Sequence, residues 1–244
     1  MSNIIFVIIF LFSAIHFLEF SSFYSRIAGI KTNYKLVSYS IQQTTFVLTR
    51  FFFIFLMPLI GFIVDKKIQQ NIYIYMVLSS IFGASVSYII AYVLKGKIID
   101  FFSKVILEFN NKGYIISFYI GFKYFLKHLF DFKNSNFKFD KKILNYKIII
   151  LSSFIFCCYS IAVFLSFYFA LLYYDYRSTI SQLSGIINAF ATVALTLYIE
   201  PKISKAIDNN SINAENDIYS LLIGRFIGVS IISPVVVIII ASLT

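Results

Sequence analysis

Arg50 lies at the middle of an otherwise uncharged run, with fourteen such residues on each side (36–49 and 51–64). A guanidinium at the centre of a membrane span costs about 2.5–3.5 kcal/mol on insertion scales, so it is expected to face a bundle interior or a water-filled cavity and to meet an anion there. Glu19 is one partner in reach of that argument. It stands three residues after His16 and shares a helical face with it. The carboxylate can pair with a cation such as Arg50, and the imidazole titrates near neutral pH; the plainer alternative is a wet, structural helix end. Arg225, a few residues into the last apolar segment and followed by Gly228, either snorkels to the interface or points inward.

Hydrogen-bonding side chains crowd the Arg50 segment. Gln42, Gln43, Thr44, Thr45 and Thr49 precede the arginine, and Pro58, Gly61 and Asp65 follow it. Such groups are costly against lipid, so at least one face is expected to line water or to bond across a helix interface. Pro58 frees the carbonyl of Ile54 and can kink the helix, as a gating hinge or as packing. Ser184, Asn188, Thr192 and Thr196 make a second polar stripe at four-residue steps, with close helix packing as its alternative. This chemistry is anion binding and translocation. Metalloprotease, serine hydrolase and phosphate-loop motifs are missing from the sequence. The two histidines, His16 and His128, and the adjacent Cys157 and Cys158 have no metal-ligand spacing, so neither a metal nor a cofactor is expected.

The elements that must position these residues are membrane helices. The chain is 59% hydrophobic and 13% charged, far from the balance of a soluble domain. Uncharged runs at Ile68–Leu94, Ile148–Tyr174, Ser178–Ile199 and Phe226–Thr244 reach or approach the roughly 20 residues that cross a bilayer. Two further spans carry charge: one near the N-terminus, with His16 and Glu19 toward its end, and the Arg50 segment. The runs are continuous, which argues for helices over an alternating β-barrel pattern. The fold expected is all-α and integral to the membrane, a six-helix bundle with spans at about 3–22, 36–64, 70–94, 148–174, 180–199 and 219–242. Residues 1–94 and 148–244 are two three-helix halves separated by a basic loop at 95–147. The N-terminal segment has no basic n-region and no small-residue cleavage site, and is read as a retained helix.

Charge sets the orientation. The loops after the first, third and fifth helices hold Arg26, Lys31 and Lys35, then eleven Lys from Lys95 to Lys147, then Lys202 and Lys205; the other loops hold only Lys66, Lys67 and Arg177. The positive-inside rule makes the basic loops cytoplasmic and puts both termini outside. The net charge of +10 then belongs to a cytoplasmic face beside anionic lipid, with no nucleic acid required. In the central loop, Ile98, Phe101, Phe102, Val105, Ile106 and Phe109 recur at helical spacing among Lys and acidic residues, the pattern of an interfacial helix. Phe118, Phe122, Phe125, Leu126 and Leu129 form a second such face, on a segment too short to span. The Lys- and Asn-rich stretch 132–147 is expected to be linker.

In their order along the chain, several short segments resemble one family. Ile15-His16-Phe17-Leu18-Glu19, Tyr24 to Thr32, Thr49-Arg50, Pro58-Leu59-Ile60-Gly61 with Val64-Asp65, Ile187 to Thr192, Glu200-Pro201-Lys202-Ile203-Ser204 and Gly224-Arg225-Phe226-Ile227-Gly228 are similar to the signatures of the Amj family of lipid II flippases, alternate to MurJ. The chain departs from that pattern at Phe20, at the aromatics after Arg50, at Ala189 and at Glu200, as a divergent member would. The resemblance implies a bacterial cytoplasmic-membrane protein that moves lipid II, the undecaprenyl-pyrophosphate disaccharide-pentapeptide, to the outer leaflet for cell wall synthesis. The residues fit such a task as a wet, cationic groove open to the side, in which Arg50 and Arg225 are expected to hold the pyrophosphate, Gln42, Gln43 and Asn188 to bond the polar head, and Glu19 to neutralise Arg50 in the empty groove or to titrate during the cycle, with His16 as a candidate relay beside it. Pro58, Gly61 and Gly228 would serve gating or packing. Three rival readings remain at this level: an ion- or proton-coupled small-solute transporter using His16, Glu19 and Arg50 as a relay, a membrane enzyme of polyprenyl phosphate metabolism, and a structural membrane subunit.

Overall fold

A backbone placed in hydrocarbon must satisfy its own N–H and C=O groups, and each long apolar run here does so as a helix. The computed structural model describes residues 1–129 and 144–244; most of the stretch expected as linker, 132–143, lies outside them. Six helical segments are long and apolar enough to cross a membrane: Ser2–Thr32, Lys35–Asp65, Gln70–Val93, Tyr146–Leu172, Tyr174–Asp208 and Ala214–Leu243. The protein is an all-α, six-span membrane bundle.

The first span is α1 (Ser2–Ser22) followed by α2 (Tyr24–Thr32), with Phe23 between them still in helical conformation. Asn33 ends the span with a left-handed φ of 65°, a usual way to close a helix. Arg26 is thus not a loop residue, as its place in the basic count suggests, but part of a membrane-length helix and only 4% exposed. The second span, α3 (Lys35–Asp65), runs unbroken through Pro58. The third is α4 (Gln70–Val93) and the fourth α6 (Tyr146–Leu172). Between them α5 (Lys95–His128) folds at Gly113, whose φ of 72° and ψ of 175° lie outside the helical region and favour a residue without a Cβ.

That fold makes a hairpin of the two amphipathic faces. Phe101 meets Phe118 and Phe125, each with ring centres 6.1 Å away, and the Lys97 ammonium donates to the carbonyl of Leu129. Ile98, Phe102, Val105 and Ile106 are buried. The hairpin packs on α2.

The fifth span comprises a 3₁₀ turn at Tyr174–Tyr176, α7 (Arg177–Ser181), α8 (Leu183–Ala194), a π turn at Leu195–Ile199 and α9 (Glu200–Asp208). The sixth comprises α10 (Ala214–Ile227), a π turn at Gly228–Ile232 and α11 (Ser233–Leu243). Both π turns end just before a proline, Pro201 or Pro234. A proline ring displaces the carbonyl four residues earlier and offers no N–H to it, and a widened turn accommodates both effects. Helix therefore continues past Glu200-Pro201, where the sequence reading ends the span.

The core joins the two halves. α1 packs on α3 and α4, α10 packs on α6, and α4 also meets the last span. Tyr73 of α4 donates to the carbonyl of Phe164 in α6 at 2.9 Å. Spans two and five both pack on span four.

Candidate functional site

Arg225 is the largest fully buried side chain among the described residues, at 0% exposure. It gets there because Gly224 and Gly228 bring α10 against α6 at backbone distance: a Cβ on Gly228 would strike the Ser153 carbonyl and lie 3.0 Å from the Cys157 nitrogen. Small residues four apart allow helix backbones this approach. Arg225 follows Gly224 directly and turns into the bundle. Its position there decides between the two sequence readings in favour of pointing inward.

Three side chains receive the guanidinium. Nη2 donates to the Glu19 carboxylate, Nε donates to the Tyr88 hydroxyl at 3.1 Å, and the plane lies over the Phe156 ring at 4.4 Å, a favourable cation–π placement. Tyr88 is also 2.5 Å from Nδ1 of His16. Glu19 in turn accepts from the Thr49 hydroxyl at 3.4 Å. The result is a buried chain His16–Tyr88–Arg225–Glu19–Thr49 linking spans one, two, three and six. One end is unfilled: Nη1 of Arg225 is buried without a partner. An unpaired charged N–H in low dielectric is costly and attracts an anion or a strong acceptor.

Arg50 has a different place. Its side chain is exposed, one residue after Thr49 on the helix, with Phe46 and Phe53 at 5.7 and 5.9 Å from its guanidinium carbon. The expected Glu19–Arg50 pair is corrected to Glu19–Arg225, because the i+1 step from Thr49 to Arg50 turns the arginine off the face that meets α1. Tyr159 of α6 lies within reach of the charges of Glu19, Arg50 and Arg225 and donates to the Thr192 hydroxyl at 2.6 Å. One turn before Thr192, Asn188 is half-buried with its Oδ1 unpartnered.

A second charged cluster surrounds Arg26. Nε donates to Oε1 of Gln42 at 2.5 Å, Nη2 donates to Glu200 at 2.6 Å, Nη1 donates to Ser204 at 3.3 Å, and the guanidinium lies 4.2 Å from the Tyr39 ring centre. Gln42, only 2% exposed, is committed to Arg26, whereas Gln43 is half-buried. Pro58 is exposed, and Gly61 allows ordinary contact with Phe167. Among the described residues, no three His, Cys, Asp or Glu side chains gather as a metal site would require.

A family described as "Amj: Alternate to MurJ" matches residues 11–241. This chain belongs to the Amj family. It is 24% identical over 229 residues to "Lipid II flippase Amj" of Bacillus subtilis (strain 168), covering 89% of this chain and 84% of that relative. No solved structure matches it.

In this Amj-family chain the matched region contains every residue of the buried network and of the Arg26 cluster. Sequence reasoning missed several of these members, Tyr88 and Arg26 above all, together with the rings of Tyr39 and Phe156. Tyr88 sits in an uncharged run among many tyrosines, and only its two buried partners give it a role. Arg26 looked like positive-inside charge; the signal available was its seven-residue spacing from Glu19, two helical turns along one face.

Proposed function

We propose that this protein is a flippase, moving lipid II from the inner to the outer leaflet of the bacterial cytoplasmic membrane without covalent chemistry. Membership of the Amj family and the similarity to the lipid II flippase of Bacillus subtilis support this substrate class. The observation that carries the reading physically is the buried Arg225 with one guanidinium nitrogen unpartnered. The obstacle to crossing is the anionic pyrophosphate with its sugar-peptide head, and the polyprenyl tail is at home in lipid. A pyrophosphate oxygen would take the free Nη1 in a charge-assisted bond and compete with Glu19 for the rest of the guanidinium. Arg50 would meet the same anion from the exposed side, and Asn188 and Gln43 would bond the head. Released from Arg225, Glu19 would need another cation, since an unpaired carboxylate is costly at that depth.

The positive-inside distribution supports cytoplasmic basic loops beside anionic lipid, with both termini outside. Loss of the protein from cells lacking other lipid II flippases would then impair peptidoglycan synthesis and cell shape. The test is reconstitution in phospholipid vesicles containing labelled lipid II. The wild-type chain is expected to bring lipid II to the opposite leaflet, and Arg225→Gln to lose that transfer. Transfer equal to that of empty vesicles sinks the proposal, and release of phosphate from the lipid would make the protein an enzyme instead.

A further inference from the structure

Spans two and five are tied together at both ends and share span four as a floor. At one end, Lys35 of α3 donates to the Asp208 carbonyl at 3.2 Å and to Asn210 at 2.6 Å, and Arg26 bridges Gln42 to Glu200 and Ser204. At the other, Arg177 donates to the Asp65 carboxylate at 2.9 Å and Tyr174 to the Asp65 carbonyl at 3.4 Å. The two spans are antiparallel, so the start of each lies beside the end of the other. Between the ties stand Arg50 on span two, Asn188 and Thr192 on span five, and Tyr159 on span four.

A cavity of about 380 Å³ opens at the second end, lined by Gly61 and Asp65 of span two, Phe167 and Ala170 of span four, and Ser178 and Ser181 of span five. The Asp65–Arg177 pair borders this cavity. We propose that the seam between spans two and five, over span four, is the path taken by the polar head, with Arg26–Glu200 and Asp65–Arg177 as its two gates. This rests on the reading of the chain as a carrier of a large anionic head. Neither gate is cross-linked or apolar: each is an ion pair that a passing charged group can replace with its own contacts. The pairs differ in strength. Arg26–Glu200 is nearly buried, with side-chain exposures of 5% and 14%, whereas Arg177–Asp65 is open to solvent at 44% and 61%. An exposed pair is weak and a buried one is costly to break singly, so the Asp65 end opens more readily.

Gly185 is the place to probe. It is exposed on span five between Ser181 and Asn188, and a Cβ added there meets nothing within 4 Å. With Cys157 and Cys158 changed to Ala, Gly185→Cys is labelled by a membrane-impermeant maleimide in right-side-out and in inverted vesicles from producing cells. Glu200→Gln is expected to raise labelling from the Arg26 side, and Arg177→Gln from the opposite side, each by about fivefold or more, the low end of coupling between sites. Should Glu200→Gln fail to reach the membrane, Glu200→Asp, which keeps the charge and shortens the reach, is expected to give the same sided increase.

Labelling that ignores both substitutions, or that rises from the same side in both, overturns the gates. The lipid II transfer assay is read separately. If labelling follows the gates while lipid II stays in place, the gates stand and the substrate reading falls. If lipid II moves while labelling is indifferent to both pairs, the path lies elsewhere in the bundle.

Discussion

Glu19 and Arg225, 206 residues apart in the chain, form an ion pair inside the bundle, with the arginine sealed from solvent and the carboxylate nearly so. The pair joins the first span to the last and therefore couples the two halves through charge as well as through packing. Removing one member strands the other.

Glu19→Gln or Arg225→Gln alone is expected to destabilise the folded protein in detergent by about 3–5 kcal/mol, the range for breaking a buried pair from one side. The double replacement Glu19→Leu with Arg225→Met should lose less than either single change, because no lone charge remains. Thermal unfolding followed by size-exclusion recovery measures both. A double variant as unstable as the sum of the singles contradicts a mutual pair.

Tyr88→Phe removes the hydroxyl shared by His16 and Arg225 while keeping the ring. Leaving those buried groups short of a partner should lower stability by about 1–3 kcal/mol. Tyr75→Phe, at a 70% exposed position of the same helix, serves as the comparison. Equal unfolding midpoints for Tyr88→Phe and wild type would show that the hydroxyl is not needed.

Gly228→Leu should be among the most damaging small-to-large changes, by about 1–3 kcal/mol or more, because its side chain would meet the backbone at Ser153 and Cys157. Gly185→Ala, which enters open space, is expected to leave folding unchanged. The yield of monodisperse protein from membranes separates the two.

Arg50 and Arg225 should part company in function and stability. Arg50→Ala is expected to leave the unfolding midpoint unchanged or raised, since the exposed arginine has no ion pair among the described residues, yet to reduce lipid II transfer. A fall in stability with transfer intact would reverse that assignment.

Outside the spans, Glu108 sits between Lys104 at 2.9 Å and Lys112 at 2.8 Å, each one helical turn away. Its hydrogen bonds to Lys112 and Lys104 hold the carboxyl below the usual carboxylate range. The contribution to the hairpin helix is therefore present above the ordinary carboxylate pKa and is lost as pH falls through the depressed one. Circular dichroism of the protein should show acid-induced helix loss beginning at higher pH in wild type than the residual loss in Glu108→Gln, which lacks this titration. Superimposable acid profiles would remove Glu108 from the hairpin's stability.

Much of the fold was legible in local pattern. Long uncharged runs in lipid have no alternative to helix, which is why six spans emerge from composition and length. The two apolar faces of the central loop were likewise visible at helical spacing; that they close on each other depends on Gly113, whose positive φ leaves no mark in periodicity. The site was legible as a set of costly residues but not as a set of partners. His16, Glu19, Arg50 and Arg225 stand out because charge and imidazole in a membrane are rare. Arg26, by contrast, was hidden by the basic loop it adjoins.

The sequence by itself determined that this protein is a six-span helical membrane bundle with cations and carboxylates held at depth, since burial in hydrocarbon dictates helix from each segment alone. Only the tertiary structure decided that Glu19 meets Arg225 rather than Arg50, that Tyr88 links them to His16, and that Arg26 closes on Glu200. Those pairings depend on which helix faces meet across the bundle, and they are set by long-range contacts such as the close approach of Gly224 and Gly228 to α6. Spacing along one helix fixes a residue's face, whereas its partner is chosen by the packing of all the others.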